Sequence, residues 1–176
     1  MTYLFEKLYD LSILLNRLAL RLAAACIFMM LLVMMLQVLA RYAFDSPPFW
    51  TEELARWLMV WGGLLGASCA FHTHADPAMV HPPVDSVIRQ KIQVIARFAA
   101  SWGFFAPVLW YTIPYLERQV NRTSEGLHVS TVWMSSALPV AIVLILLHGL
   151  AGLGALYSKR IYDRESSFSL QSENHN

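Results

Sequence analysis

Histidine, carboxylate and guanidinium side chains are the groups in this chain that can do chemistry, and they fall into three sets. His72, His74 and His81 lie close together, and imidazole is a common metal ligand. We read them as solvated loop histidines and expect no metal site. His148 stands inside a long apolar stretch. There it serves as a haem ligand, as a proton relay or, on the reading we favour, as a hydrogen-bonded histidine facing a neighbouring helix. The third set is Glu52, Glu53 and Arg56, with Trp50 just before them and Arg41 a short turn upstream. Two readings stand for it. The charges bridge to a partner chain, where partial desolvation strengthens ion pairing. Or they solvate a helix start, with Glu52 and Arg56 paired four residues apart. The short turn favours Arg41 as a partner for Glu52 or Glu53 over a snorkelling arginine. Cys26 and Cys69 both sit in apolar runs and read as small buried residues, not a disulfide or metal framework. No Cys-X-X-Cys, His-Glu-X-X-His or glycine-rich phosphate loop is present, so no catalytic residue and no cofactor is expected.

The elements carrying these groups belong to a lipid solvent. Of the 176 residues, 57% are hydrophobic and 14% charged. Soluble domains average about 45–50% and about 25%. Net charge is +1, which gives no general attraction to nucleic acid. Residues Leu22–Ala40, Trp57–Ala75 and Phe98–Leu116 each contain no Asp, Glu, Lys or Arg over 19 positions. At about 1.5 Å per residue each spans roughly 28 Å, close to the hydrocarbon thickness of about 30 Å. A fourth charge-free run, 126–158, has its apolar part at Val132–Tyr157. Backbone groups in lipid must bond within their own segment, so each run is expected to be a helix. The expected fold is therefore all-α and integral to the membrane. It is a single domain with spans at about residues 20–43, 55–75, 94–116 and 132–157 and a polar tail over 160–176.

The connecting segments carry their own signals. Leu4, Leu8, Leu11, Leu15 and Leu18 recur at helical spacing, which predicts an amphipathic helix that lies on the membrane or extends the first span. Glu6, Asp10 and the length of the apolar run argue against a signal peptide. Pro47 and Pro48 end the first helix, and Thr51 is expected to cap the second, with Glu52 and Glu53 in its first turn, giving an interfacial helix start before span two. Gly62, Gly66 and Ala70 form a small-residue face suited to close helix approach, within the chain or against a partner. Pro107 and Pro114 are expected to kink the third span and Pro139 the fourth. Nine of the thirteen basic residues fall on the side that holds both termini and the second loop, which predicts cytoplasmic termini.

The run Gln37-Val38-Leu39-Ala40-Arg41-Tyr42-Ala43-Phe44 leads into Pro48-Phe49-Trp50-Thr51-Glu52-Glu53-Leu54-Ala55-Arg56. Val60-Trp61, Leu65-Gly66-Ala67, Val132-Trp133 and Ala137-Leu138-Pro139-Val140 follow. This pattern resembles the small (DctQ-type) membrane subunit of tripartite ATP-independent periplasmic (TRAP) transporters. One departure follows span two, where Phe71-His72-Thr73-His74 stands in place of the basic residues and Gly-X-His of many relatives. The resemblance implies an accessory or scaffold subunit in the bacterial inner membrane. A large multispan subunit would be its direct partner, and a periplasmic binding protein would deliver an organic anion, often a carboxylate, for ion-driven import. A four-helix haem-binding anchor of a redox complex is the alternative. It requires His148 and a second histidine, with His72 the nearest in depth.

Overall fold

The computed structural model describes residues 2–46, 48–73 and 87–156. Pro47, the loop holding His74, Pro77, His81, Pro82 and Pro83, and the tail with Lys159, Arg160 and Arg164 lie outside the described residues, as do the side chains of Arg89 and Lys91.

The chain folds into helices α1 (Thr2–Phe44), α2 (Trp50–His72), α3 (Val87–Val120), α4 (Val132–Ser135) and α5 (Ala137–Gly152), and α5 runs into a 3₁₀ turn over Leu153–Leu156. Four segments are long and apolar enough to cross a membrane: Glu6–Phe44, Trp50–His72, Val94–Val120 and Val132–Gly152. The all-α membrane architecture expected from the charge-free runs is thus the one observed.

Helix α1 is one unbroken rod of 43 residues, so the N-terminal amphipathic segment extends the first span. Its leucine stripe is not the packed face, and Leu8 and Leu15 are only half-buried. Leu11 and Leu18 are exposed, while Tyr9, Ser12, Ala19 and Ala23 are buried. Apolar side chains gain nothing by leaving lipid for protein, so small residues that let backbones approach take the packed face instead. Asp45 ends α1 in the left-handed region (φ 50°), which Asp tolerates better than most residues.

Helix α2 packs antiparallel along α1 through Ala19, Ala23, Leu65 and Cys69, with Trp61 of α2 and Leu144 of α5 against them. Gly62 sits at the closest point. A Cβ there would lie 2.9 Å from Ile27 Cδ1 and 3.3 Å from Cys26 Cβ. Gly66 would meet nothing within 4 Å. The small-residue face therefore divides, with Gly62 serving the α1–α2 crossing and Gly66 opening outward.

Helix α5 is the central element and touches α1, α2 and α3. Ala137, Ala141, Ile142, Ile145 and Leu146 are all buried. Pro139 has no N–H to donate, which fits most easily in the first turn of an α-helix. The fourth span accordingly breaks at Ser136 and restarts at Ala137, with the Ser136 hydroxyl donating to the Trp133 carbonyl at 2.9 Å. Pro107 and Pro114 lie inside α3, which stays helical through both.

Overpacking a helix crossing costs about 1–3 kcal/mol. Gly62→Leu should lower thermal stability in detergent by that order, and Gly66→Leu should change it far less. Differential scanning fluorimetry of the two variants checks this.

Candidate functional site

Polar groups gather at the two ends of the bundle. At the α2 start, helix formation begins at Trp50, after Phe49, which makes no side-chain cap bond. Thr51 is not the cap. It lies inside the first turn, fully buried, and its hydroxyl donates back to the Pro48 carbonyl at 2.6 Å. The Thr51 backbone N–H donates to the same carbonyl at 3.3 Å, so both donors of this residue close the turn.

Glu52 and Glu53 point to different neighbours. Glu52 accepts from Arg56 at 3.2 Å in an exposed i, i+4 pair. Such pairs contribute little, about 0.3–0.5 kcal/mol. Glu53 reaches the loop between α3 and α4, where its Oε2 accepts the Gly126 backbone N–H at 2.8 Å. That loop is a small hairpin. Thr123 and Ser130 form an antiparallel bridge, and the Ser124 N–H donates to the Val129 carbonyl at 2.9 Å. His128 takes a positive φ of 55°, and the Ser124 hydroxyl accepts from the Leu127 N–H. The Thr131 hydroxyl donates to the Gln119 side chain at 2.9 Å, pinning the hairpin base to the end of α3. Gly126 is required where it stands. A Cβ would fall 2.6 Å from Glu53 Oε2 and 3.3 Å from Trp50 Cα.

The ion pair expected between Arg41 and Glu52 or Glu53 is not formed. Arg41 is exposed in the last turn of α1, where a cation complements the helix dipole. Glu53 already has backbone donors, and Glu52 has Arg56. A second tie was missed in the sequence. The Trp61 indole N–H donates to the Trp133 carbonyl at 3.0 Å, joining α2 to α4 through the two tryptophans of the Val-Trp pairs.

At the opposite end, α1, α2, α3 and α5 meet around buried polar side chains. His148 Nδ1 and Ser12 Oγ share a 2.6 Å hydrogen bond. The His72 ring stands edge-on to His148 with centroids 4.6 Å apart, and Tyr9 packs beyond it at 6.4 Å. Ser101 packs against Gly149, where an added Cβ would lie 3.3 Å from its hydroxyl. Arg97 lies over the Phe71 ring and donates to the Phe71 carbonyl, tying α3 to the end of α2.

This arrangement is structural in character. Two axial histidines of a haem aim their nitrogens at one iron from opposite faces of a macrocycle. Here the His72 and His148 rings touch edge to face, and Ser12 holds one nitrogen of His148. No slot for a porphyrin separates them, so the geometry goes against the haem-anchor alternative. No acidic residue falls between Trp57 and His72, Phe98 and Leu116, or Val132 and Gly152.

The hairpin latch predicts non-additivity. Hydrogen bonds to charged groups contribute about 1.5–3 kcal/mol. Glu53→Ala and Gly126→Ala should each loosen the 121–131 hairpin to limited proteolysis, and the double variant should lose little more than either alone. Glu52→Ala should leave the cleavage pattern unchanged.

Residues 29–157 match the family model described as tripartite ATP-independent periplasmic transporters, DctQ component. The chain is also 28% identical over 123 residues to the sialic acid TRAP transporter permease protein SiaT of Haemophilus influenzae (strain 86-028NP). That match covers 65% of this chain and 19% of the relative, so the chain spans about a fifth of the relative's length. The matched region takes in both tryptophan pairs, the Glu53–hairpin latch and His148, and leaves out α1 before residue 29. With four segments long and apolar enough to cross a membrane, the chain belongs to the DctQ component family of tripartite ATP-independent periplasmic (TRAP) transporters.

Proposed function

We propose that this subunit is a non-translocating scaffold that packs beside a large multispan membrane subunit in the bacterial inner membrane. A periplasmic binding protein delivers an organic anion, in our reading a carboxylate, and an ion gradient drives import through the large subunit. The observation that carries this reading is the content of the bilayer-crossing segments. They hold no acidic residue in their central stretches, and the buried Ser12 and His148 bond to each other. A coupled carrier needs ion and substrate sites near the midplane, often on broken helices. Another chain must supply them.

The length of that relative supports a partner of that kind, since the segment similar to this chain is only 19% of a longer permease protein. That relative is named for sialic acid, and at 28% identity we propose only the broader class of organic anion for this complex. The excess of basic residues near the starts of α1 and α3 and in the tail supports cytoplasmic termini. Among the expected interface residues, Glu53 and Trp50 are engaged with the hairpin inside the chain. Glu52, Arg56, Arg41 and the outward Gly66 and Ala70 remain as the surface offered to the large subunit.

Two experiments test this. The purified chain in proteoliposomes should show no gradient-driven uptake of organic anions, and uptake by the chain alone would overturn the scaffold reading. Glu52→Ala combined with Arg56→Ala should reduce recovery of the large subunit on affinity purification in mild detergent. Full recovery would remove that surface from the interface.

A further inference from the structure

Arg17 and Arg21 stand one helical turn apart on α1, and both are exposed. Neither has an ion-pair or hydrogen-bond partner among the described residues. They lie on the side of α1 opposite the buried Tyr9, Ser12, Ala19 and Ala23, as the helical period requires. The same side continues at heptad-like spacing through Leu14, Phe28, Leu32, Met35 and Leu39, which are between 48% and 63% exposed. Among the described residues, an unpaired cationic couple thus opens into a long apolar stripe that no other element covers.

Depth fixes what this couple meets. Arg21 and Arg41 bound the charge-free run of α1 and are twenty residues apart. That is about 30 Å of helix, the thickness of the hydrocarbon core. With Arg41 at one boundary, Arg21 reaches the other, and Arg17 stands one turn further out among headgroups. Guanidinium groups bind phosphate oxygens bidentately. In that layer lipid phosphates are abundant, and the acyl chains below them meet the stripe.

We propose that Arg17 and Arg21 form a seat for the phosphate of an anionic phospholipid in the leaflet nearest the start of α1, its acyl chains lying along Phe28 and Leu32. The seat precedes the region matched by the family model, which begins at residue 29. It depends on α1 crossing the bilayer and is independent of the transport role.

The test is native mass spectrometry of the full chain in mild detergent, titrated with phosphatidylglycerol or with phosphatidylcholine. A cation near an anionic lipid surface contributes about 1 kcal/mol, about fivefold in affinity. Retention of phosphatidylglycerol should fall by about that factor for Arg17→Gln or Arg21→Gln, and further for the pair, with phosphatidylcholine unaffected. The double lysine variant should keep most of the retention, and the charge-matched Arg122→Gln should keep all of it. Equal retention by the wild type and the double glutamine variant would overturn the proposal. So would equal loss of both lipids, or unchanged lipid retention with loss of a copurifying membrane protein, which would give this face to a protein partner. Unchanged melting of the glutamine variants separates each outcome from misfolding.

Discussion

A polar group inside a bilayer has no water to fall back on, and the whole chain is arranged around that absence. Backbone groups are satisfied by helix formation alone. Side chains need partners from neighbouring helices, and they find them only where helices can be brought very close. Gly62 against Ile27 and Cys26, and Gly149 against Ser101, supply that closeness. His148 and Ser12 can then meet at 2.6 Å, although 136 positions separate them in the chain. Small residues and polar residues thus work as one system. The first set the distance, and the second use it to fix which helices pair and at what height.

The two ends of the bundle solve the same problem differently. Around His148 one bond joins two side chains, His148 and Ser12, while Arg97 and Ser101 donate to the carbonyls of Phe71 and Phe98. At the α2 start the partners are mostly backbone: Glu53 accepts from Gly126, Thr51 donates to Pro48, and Trp61 donates to Trp133. Backbone partners ask less of the sequence of the partner segment than paired side chains do. That suits an end where loops, not helices, must be held in place.

Much of this fold was legible before any coordinates. Charge-free runs of bilayer length dictate helices, and the prolines at 47, 48 and 139 announce where a helix stops or restarts. The i, i+4 relation of Glu52 and Arg56 is fixed by helix geometry, and it appears as expected. What the pattern hid was direction. The leucines of α1 mark a helix that meets the membrane, but their period does not reveal that Tyr9, Ser12, Ala19 and Ala23 form the packed face. Partners across long loops were hidden too. Nothing local to Glu53 identifies Gly126, 73 positions away. Arg41 looked like the nearer counter-charge because proximity in sequence was the only measure at hand. For Gly126 a signal did exist in retrospect, a lone glycine in a short polar loop, but its requirement comes from a carboxylate on another helix.

The unbroken course of α1 carries a mechanical consequence. Its 43 residues extend about 64 Å, roughly twice the hydrocarbon thickness, without a proline or a break. Long helices bend gently and kink only at identifiable defects. The helix therefore behaves as a stiff strut that joins the two membrane surfaces with no joint between them. Any tilt imposed at one end is delivered to the other, and α2 and α5, keyed to it at Gly62 and Ser12, must turn with it.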